Sequence, residues 1–376
     1  MTGSVSDKSV DIAVIGGGII GLAVARALAA AGADLALVDA GDAPAPATPA
    51  AAGMLAPSFE EGLGGEALYA LSAASLKAWP GFADAMQEET GVDIDFRADG
   101  ILGIAYDEAE GEALIRQGAM LRARGGRARL ILGEEARRLE PALSAATVCA
   151  MEAPDDAQVD PRKTSIALRA AIENHGGALM NARVATAIEK NGAWSLALDI
   201  GETLTAHKLV VATGAAPDWP VEVVARPPIR PAKGEAFALD IAAGPELRRV
   251  IRAPGAYLCP KAGGRLVIGA SEWEGRADAE VDDKAIQTLR ARAEAAVPGL
   301  AGRAERERWA GLRPATPDGA PILGRDPRGP ETLFLALGHY RNGVLLAPES
   351  ATLLAAEILG EAREEALNAF RPDRFG

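Results

Sequence analysis

The stretch Val10-Asp11-Ile12-Ala13-Val14-Ile15-Gly16-Gly17-Gly18-Ile19-Ile20-Gly21 decides the fold. Its first half is a short apolar run with β-branched residues and reads as a buried strand. Gly16, Gly18 and Gly21 then fall in the spacing G-x-G-x-x-G. Residues 22–31 are rich in Ala and Leu and read as a helix, with Gly32 suited to its C′ position. Residues 34–38 read as a second strand, and Asp39 stands at its end. This is one βαβ unit within about 30 residues, the length such a unit needs. In it the first glycine makes the tight turn, the second lets backbone approach a pyrophosphate, and the third lets helix and strand pack closely. The helix N-terminus turns N–H groups and positive dipole density toward phosphates. An acid about 20 residues on accepts hydrogen bonds from a ribose and disfavours a 2′-phosphate. The spacing leaves NAD and FAD both open and makes NADP the least favoured.

Outward from this unit the chain alternates helix and strand signals over 376 residues, enough for more than one domain. Residues 41–57 are rich in Ala, Pro and Gly and read as an irregular loop. Helices are expected over 66–89, 108–124, 161–175, 282–296 and 345–359. Strands are expected within 96–105 and at 196–198, 204–205, 208–212, 237–239, 257–259, 266–268 and 332–337. The Pro-rich residues 217–231 mark a crossing between domains. Strands that return late to a βαβ start imply a discontinuous nucleotide domain. The expected division is 1–60, 140–216 and 305–376 for that domain, and 61–139 with 217–304 for a substrate domain. The fold class is α/β, α+β overall: a Rossmann-like domain with an inserted mixed-sheet domain.

Composition removes several function classes. Hydrophobic residues are 49% and charged residues 24%, which excludes a disordered chain. Lys and Arg number 39 against 52 Asp and Glu, a net charge of −13 with no basic stripe, so no nucleic-acid partner is expected. Cys149 and Cys259 are the two cysteines, too few and too far apart for a disulfide framework or a Cys-type zinc cluster. With three histidines, His175, His207 and His339, no metal centre is expected. No apolar run approaches the ~20 residues of a membrane span, so no membrane partner is expected. Residues 1–9 are short and polar, without the apolar core of a signal peptide, and the cytoplasm is the expected compartment.

Four further segments carry a resemblance. They are Ala50-Ala51-Ala52-Gly53-Met54-Leu55-Ala56-Pro57, Val210-Val211-Ala212-Thr213-Gly214, Gly311-Leu312-Arg313-Pro314-Ala315-Thr316-Pro317-Asp318-Gly319-Ala320-Pro321-Ile322-Leu323-Gly324, and Gly338-His339-Tyr340-Arg341-Asn342-Gly343-Val344-Leu345-Leu346-Ala347-Pro348. With the amino-terminal motif they resemble, in order and over most of the chain, the D-amino-acid oxidase superfamily of flavoproteins. Within it the likeness is to the glycine oxidases of the thiamine pathway. The resemblance implies FAD as cofactor. It places His339, Arg341, Asn342, Gly343, Val344 and Leu345 along the flavin. It puts Ile19, Ile20, Asp39, Ala40, Thr48, Ala52, Gly53 and Met54 against FAD, Val184 on the adenine side, and Gly214 at the strand end. It makes Arg313 the carboxylate clamp and Arg341 a second arginine near flavin and substrate. Tyr257 becomes a further carboxylate contact, and Met54 part of the apolar wall. An arginine fork suits that carboxylate because it grips both oxygens. A helix N-terminus at the last turn suits a reduced flavin, which carries negative charge.

The sequence departs from the family at three points. Only Thr48 remains of the hydroxyls usual before the Ala-Gly-Met motif, Asp39 stands for a glutamate, and residues 311–324 hold no cysteine, so the FAD is expected to be non-covalent. Beside these roles stand plainer ones. Tyr257 and Met54 also suit core positions, Cys259 a small buried hydrophobe, and Arg230 and Lys233 structural pairs. His339 suits a flavin neighbour that positions backbone, not a general base.

The implied reaction is oxidation of glycine or another small amine acid to the imine. The imine then yields the 2-oxo acid and ammonia or feeds thiazole assembly. Oxygen is the second substrate, hydrogen peroxide a product, and a homo-oligomer the expected assembly. Other readings stay open here. One is a relative acting on sarcosine, D-amino acids or larger N-substituted glycines, including one passing electrons to a quinone. Others are a non-catalytic nucleotide-binding protein and an NAD-dependent dehydrogenase.

Overall fold

The computed structural model describes residues 7–41, 43, 45–60, 64–361 and 364–375. The expectation for the amino terminus therefore lies, for residues 1–6, outside the described residues. The elements used below are, in chain order, β1 (Asp7–Ile15), α1 (Ile19–Ala30), β2 (Leu35–Asp39), α2 (Gly65–Thr90), β3 (Ile101–Ala105), α3 (Pro161–Asn174), β4 (Thr203–Val211), β5 (Arg230–Asp240), β6 (Val250–Ala253), β7 (Ala256–Lys261), β8 (Arg265–Gly269), α4 (Asp283–Ala296), β9 (Glu305–Ala315), β10 (Leu333–Leu337) and α5 (Gly343–Leu359).

One sheet runs Ile322–Arg325, β10, β4, β1, β2, Ala178–Asn181. Its pairings are parallel from β10 to Ala178–Asn181, so the amino-terminal βαβ unit sits in its middle. Helices α1, α2, α3 and α5 bury Leu22, Leu28, Trp79, Met86, Leu168 and Leu346 against one face of it. The second sheet runs Trp273–Glu274, β5, β8, β7, β6, β3, Cys149–Ala153, Arg129–Leu132, with β9 on the other side of β5. It is antiparallel except between β6 and β3. Helix α4 covers one face through Ile286, Leu289 and Ala293.

The sequence reading and the structure differ at identifiable places. Residues 204–205 and 208–211 belong to the single strand β4, which ends one residue before the expected 212 and whose exposure alternates through the polar His207 and Lys208. Residues 41–57 contain a helical turn, Ala47–Ala50, and a short strand, Met54–Leu55. Cys149–Ala153 and β9, assigned by sequence to the nucleotide domain, are strands of the second sheet. Helix α2, assigned to the substrate domain, packs in the core of the first sheet. The start of β9, Glu305-Arg306-Glu307-Arg308, hides its strand character. Its side chains alternate but carry charge on both faces.

Helix α5 contains Pro348, which has no N–H to give to the carbonyl one turn earlier. Helix α2 supplies the groups this break requires. The Ser75 hydroxyl and the Trp79 indole N–H both donate to the Leu345 carbonyl, at 2.7 and 2.9 Å. The Glu349 N–H donates to the Ser75 oxygen at 3.3 Å. Two buried polar side chains of α2 thus fix the first turns of α5.

A further buried polar group follows the strand Cys149–Ala153. Asp156 has no exposed surface, and one of its oxygens accepts from the Ser58 hydroxyl at 2.8 Å. The other has no partner. Burial pushes its carboxyl up to about 8. The neutral acid is therefore the form the fold accepts. Its contribution is fully present below the ordinary carboxyl range and is lost as pH rises toward about 8. Asp156→Asn should gain melting temperature relative to the parent as pH goes from 5 to 8.5. Thermal melts across that range check this, and a pH-independent gap refutes it.

Candidate active site

A cavity of about 1660 Å³ lies between the two sheets. Drug-sized ligand pockets hold roughly 300–1,000 Å³, so there is room for a dinucleotide and a small substrate together. At its β1–α1 end, Gly16 has φ +109°, and a Cβ there would stand 2.4 Å from the Ala212 carbonyl oxygen. A Cβ on Gly21 would stand 1.9 Å from the Gly16 oxygen, so only glycine lets the helix close on the turn. Asp39 accepts the Gly17 N–H at 2.6 Å and the Gly41 N–H at 2.9 Å. The Thr48 hydroxyl oxygen accepts the Ile19 N–H at 3.0 Å. The cavity wall here includes Gly16, Gly18, Ile19, Ile20, Asp39, Ala40, Thr48, Ala52, Gly53, Met54, Val184 and Gly214.

The turn before α5 forms the next part of the wall with His339, Arg341, Asn342, Gly343 and Val344. The Tyr340 N–H donates to the Pro314 carbonyl at 2.9 Å, tying this turn to strand β9, which carries Arg313. His339 is buried with Nε2 3.1 Å from the Ser350 hydroxyl oxygen. Burial drives its imidazole down to about 3, so it stays neutral and positions the turn. Two residues named from the sequence are not on the cavity wall. Gly21 acts through helix–turn packing, and the Leu345 side chain lies in the core while its carbonyl is held by α2.

The substrate end is built on the second sheet. The Arg313 guanidinium rests over Gly234, where a Cβ would stand 2.3 Å from Nη1 and Nη2. Arg313 Nη1 is buried without a partner. The Tyr257 hydroxyl stands over Gly269, 2.4 Å from where a Cβ would be. Burial pushes the Tyr257 phenol up to about 12, so it remains a neutral donor. Arg341 differs from a free carboxylate clamp. Its Nε lies 3.3 Å from Glu60 and its Nη1 3.5 Å from Glu272, whose other oxygen accepts from Tyr340.

Sequence reasoning missed Gly234 and Gly269. Their signal was a glycine inside a strand, which marks close approach. It also missed Glu60 and Glu272, which no local pattern distinguishes from surface acids.

The donor set fits FAD. Among the described residues the buried side-chain atoms without partners that line the cavity are both donors, Arg313 Nη1 and Asn342 Nδ2. Asn342 is the N-cap residue of α5 and lines the cavity together with Gly343 and Val344 of the first turn of that helix. Donors and a helix N-terminus suit a ring system and a carboxylate that both present acceptors.

Gly234→Ala should displace the Arg313 guanidinium and cost about 10²-fold in kcat/KM for an amino acid substrate, as a 1 Å misplacement does. Bound flavin per chain should be unchanged. Steady-state kinetics with a flavin absorbance ratio checks this, and unchanged kinetics refutes it.

Comparison with known proteins agrees with this geometry. Residues 11–357 match the DAO family, FAD dependent oxidoreductase. A glycine oxidase from Geobacillus kaustophilus strain HTA426 is 34% identical over 353 residues, 92% of each chain. A bifunctional protein ThiO/ThiG from Synechocystis is 34% identical over 371 residues, 97% of this chain, which spans 54% of that protein's length. The crystal structure of the G. kaustophilus glycine oxidase superposes with a TM-score of 0.90 at 32% identity, covering 98% of this chain and 99% of that one. The glycine fingerprint, the orphan donors and these matches lead to one conclusion: this chain belongs to the DAO family of FAD-dependent oxidoreductases.

Proposed function

We propose that the chain oxidises glycine, or a small amine acid like it, with oxygen as the electron acceptor. The buried, unpartnered Arg313 Nη1 at the cavity wall carries this reading. An arginine left open in a cavity lined by donors calls for a carboxylate. When bound, FAD supplies the acceptor for the hydride leaving the α-carbon. This chain's residues do the orienting. Arg313 grips the carboxylate with its fork, and Tyr257 donates its phenol proton to the same group. Met54 closes an apolar side. The amine reacts as the neutral base after its ammonium proton is lost to solvent, and His339, buried and bonded to Ser350, is not placed to take it. The balance is glycine, oxygen and water to glyoxylate, ammonia and hydrogen peroxide. The likeness to glycine oxidases and to a bifunctional ThiO/ThiG protein supports a place in thiamine synthesis, where the imine feeds thiazole assembly.

FAD is held without a covalent bond in this reading. Neither cysteine lines the cavity: Cys259 is buried in the second sheet and Cys149 lies in the strand Cys149–Ala153. Both thiols are free, which agrees with the cytoplasm. No helix among the described residues is long and apolar enough to cross a membrane. The edge strand Arg129–Leu132 exposes Leu130 and Leu132, a surface that suits a homo-oligomer.

Anaerobic titration with glycine should bleach the visible flavin band. A yellow protein that glycine does not bleach refutes the substrate. Acid precipitation should release the flavin into the supernatant. Yellow colour retained in the pellet refutes non-covalent binding.

A further inference from the structure

Arg252 on β6 is paired across the strands with Tyr257 on β7, which in turn faces Gly269 on β8. Directly opposed residues put their side chains on one face of a sheet, so Arg252 and Tyr257 share a wall, and both line the cavity. On its other side Arg252 is opposite Gly103 of β3. The Phe59 ring fills the space over that glycine, 2.6 Å from where a Cβ would be. The Arg252 guanidinium lies over this ring, 5.6 Å from its centroid. The ring supports one face of the cation and takes none of its N–H donors.

The charges around Tyr257 do not balance. Arg341 already holds two carboxylates, Glu60 and Glu272. Arg313 waits for the substrate carboxylate. Among the described residues Arg252 has no ion pair or hydrogen bond, only the Phe59 contact. Asp156, the buried acid that feels its charge, is pushed up to about 8 and so is largely neutral at pH 7. Among the described residues the wall around Tyr257 thus holds one guanidinium more than a monocarboxylate needs. Leaving such a cation half-buried is unfavourable unless an anion meets it.

We propose that Arg252 is a second acid-binding subsite. An amino acid whose α-carboxylate lies on Arg313 and Tyr257, and whose nitrogen or side chain carries a further carboxylate, sets that second group against Arg252. The subsite rests on the amine-acid oxidase reading and widens its substrate class to small diacid amines. It also fixes the direction in which they lie. The Arg341 side is closed to a second acid, because Glu60 and Glu272 occupy it.

The test uses the FAD-loaded protein and two non-oxidisable ligands that differ in one carboxylate, diglycolate and methoxyacetate, each read by perturbation of the flavin spectrum. The parent should bind diglycolate at least ~10-fold more tightly, the order of one charge-assisted contact. Arg252→Met, which keeps the stem packed on Phe59, should abolish that preference while leaving methoxyacetate binding within about twofold. Arg252→Lys should restore part of it. In turnover, the ratio of kcat/KM for iminodiacetate over sarcosine should fall with Arg252→Met. Equal weakening of both ligands by Arg252→Met overturns the subsite. So does a preference that survives Arg252→Met and grows in Glu60→Gln, which places the second acid at Arg341. A parent that responds to glycine and methoxyacetate without preferring diglycolate overturns the subsite and leaves the oxidase reading standing. A parent whose flavin responds to neither ligand nor to glycine overturns the oxidase reading, and the subsite falls with it.

Discussion

Two missing methyl groups hold the active region together. Gly234 of β5 and Gly311 of β9 are opposed in the antiparallel ladder. The space over Gly234 takes the Arg313 guanidinium, and the space over Gly311 takes Ala50, 2.4 Å from where a Cβ would be. The loop that includes Ala50 is then fastened to the same strand. The Trp309 indole donates to the Ala50 carbonyl at 3.0 Å, and the Leu312 N–H donates to the Ala45 carbonyl at 3.0 Å. Thr48 sits in this loop and caps the Ile19 N–H. Close approach on the second sheet therefore sets the geometry of the phosphate-facing turn on the first.

The electrostatics follow a consistent division. Of the cations beside Arg313, Lys233 and Arg341 are already matched and Arg252 is not. Lys233, next to Gly234, is fully buried and paired with Glu235 and Asp278. Glu235 also accepts from Ser271, from the Trp273 indole at 2.9 Å and from the Asp282 N–H at 3.2 Å. That network pins the segment carrying Glu272 against β5. On the cavity wall burial drives the His339 imidazole down, out of the neutral range, and pushes the Tyr257 phenol further above it. The wall thus presents fixed donors across the working pH range. Orientation needs such donors, and proton transfer by a side chain does not need to be invoked.

The amino-terminal unit was legible because each local signal agreed with the others: apolar strand, glycine spacing, Ala/Leu helix, acid at the next strand end. Arg313, Tyr257 and the turn at 338–343 were legible through their resemblance to a family. Nothing local to those residues says that they converge. What stayed hidden depends on long-range pairing. The start of β9 alternates charge with charge, so no hydrophobic period marks it as a strand. The pairing of Arg341 with Glu60 and Glu272 joins three distant segments. Leu345 looked like a ring contact by its place in the motif. Pro348 and the donors of α2 turn it inward instead.

The strand order of the first sheet also bears on how the chain is made. β1 is central, yet its neighbour on one side, β4, lies about 190 residues later, and β10 and Ile322–Arg325, which complete that side, later still. At roughly 5–20 residues per second, ribosomes need on the order of 10–40 s to reach β4 after β1. During that interval the apolar edge of β1 that later pairs with β4 is without that partner, the kind of surface that invites pairing with other chains. The nascent protein must keep its nucleotide-binding half waiting until the middle of its own sequence emerges.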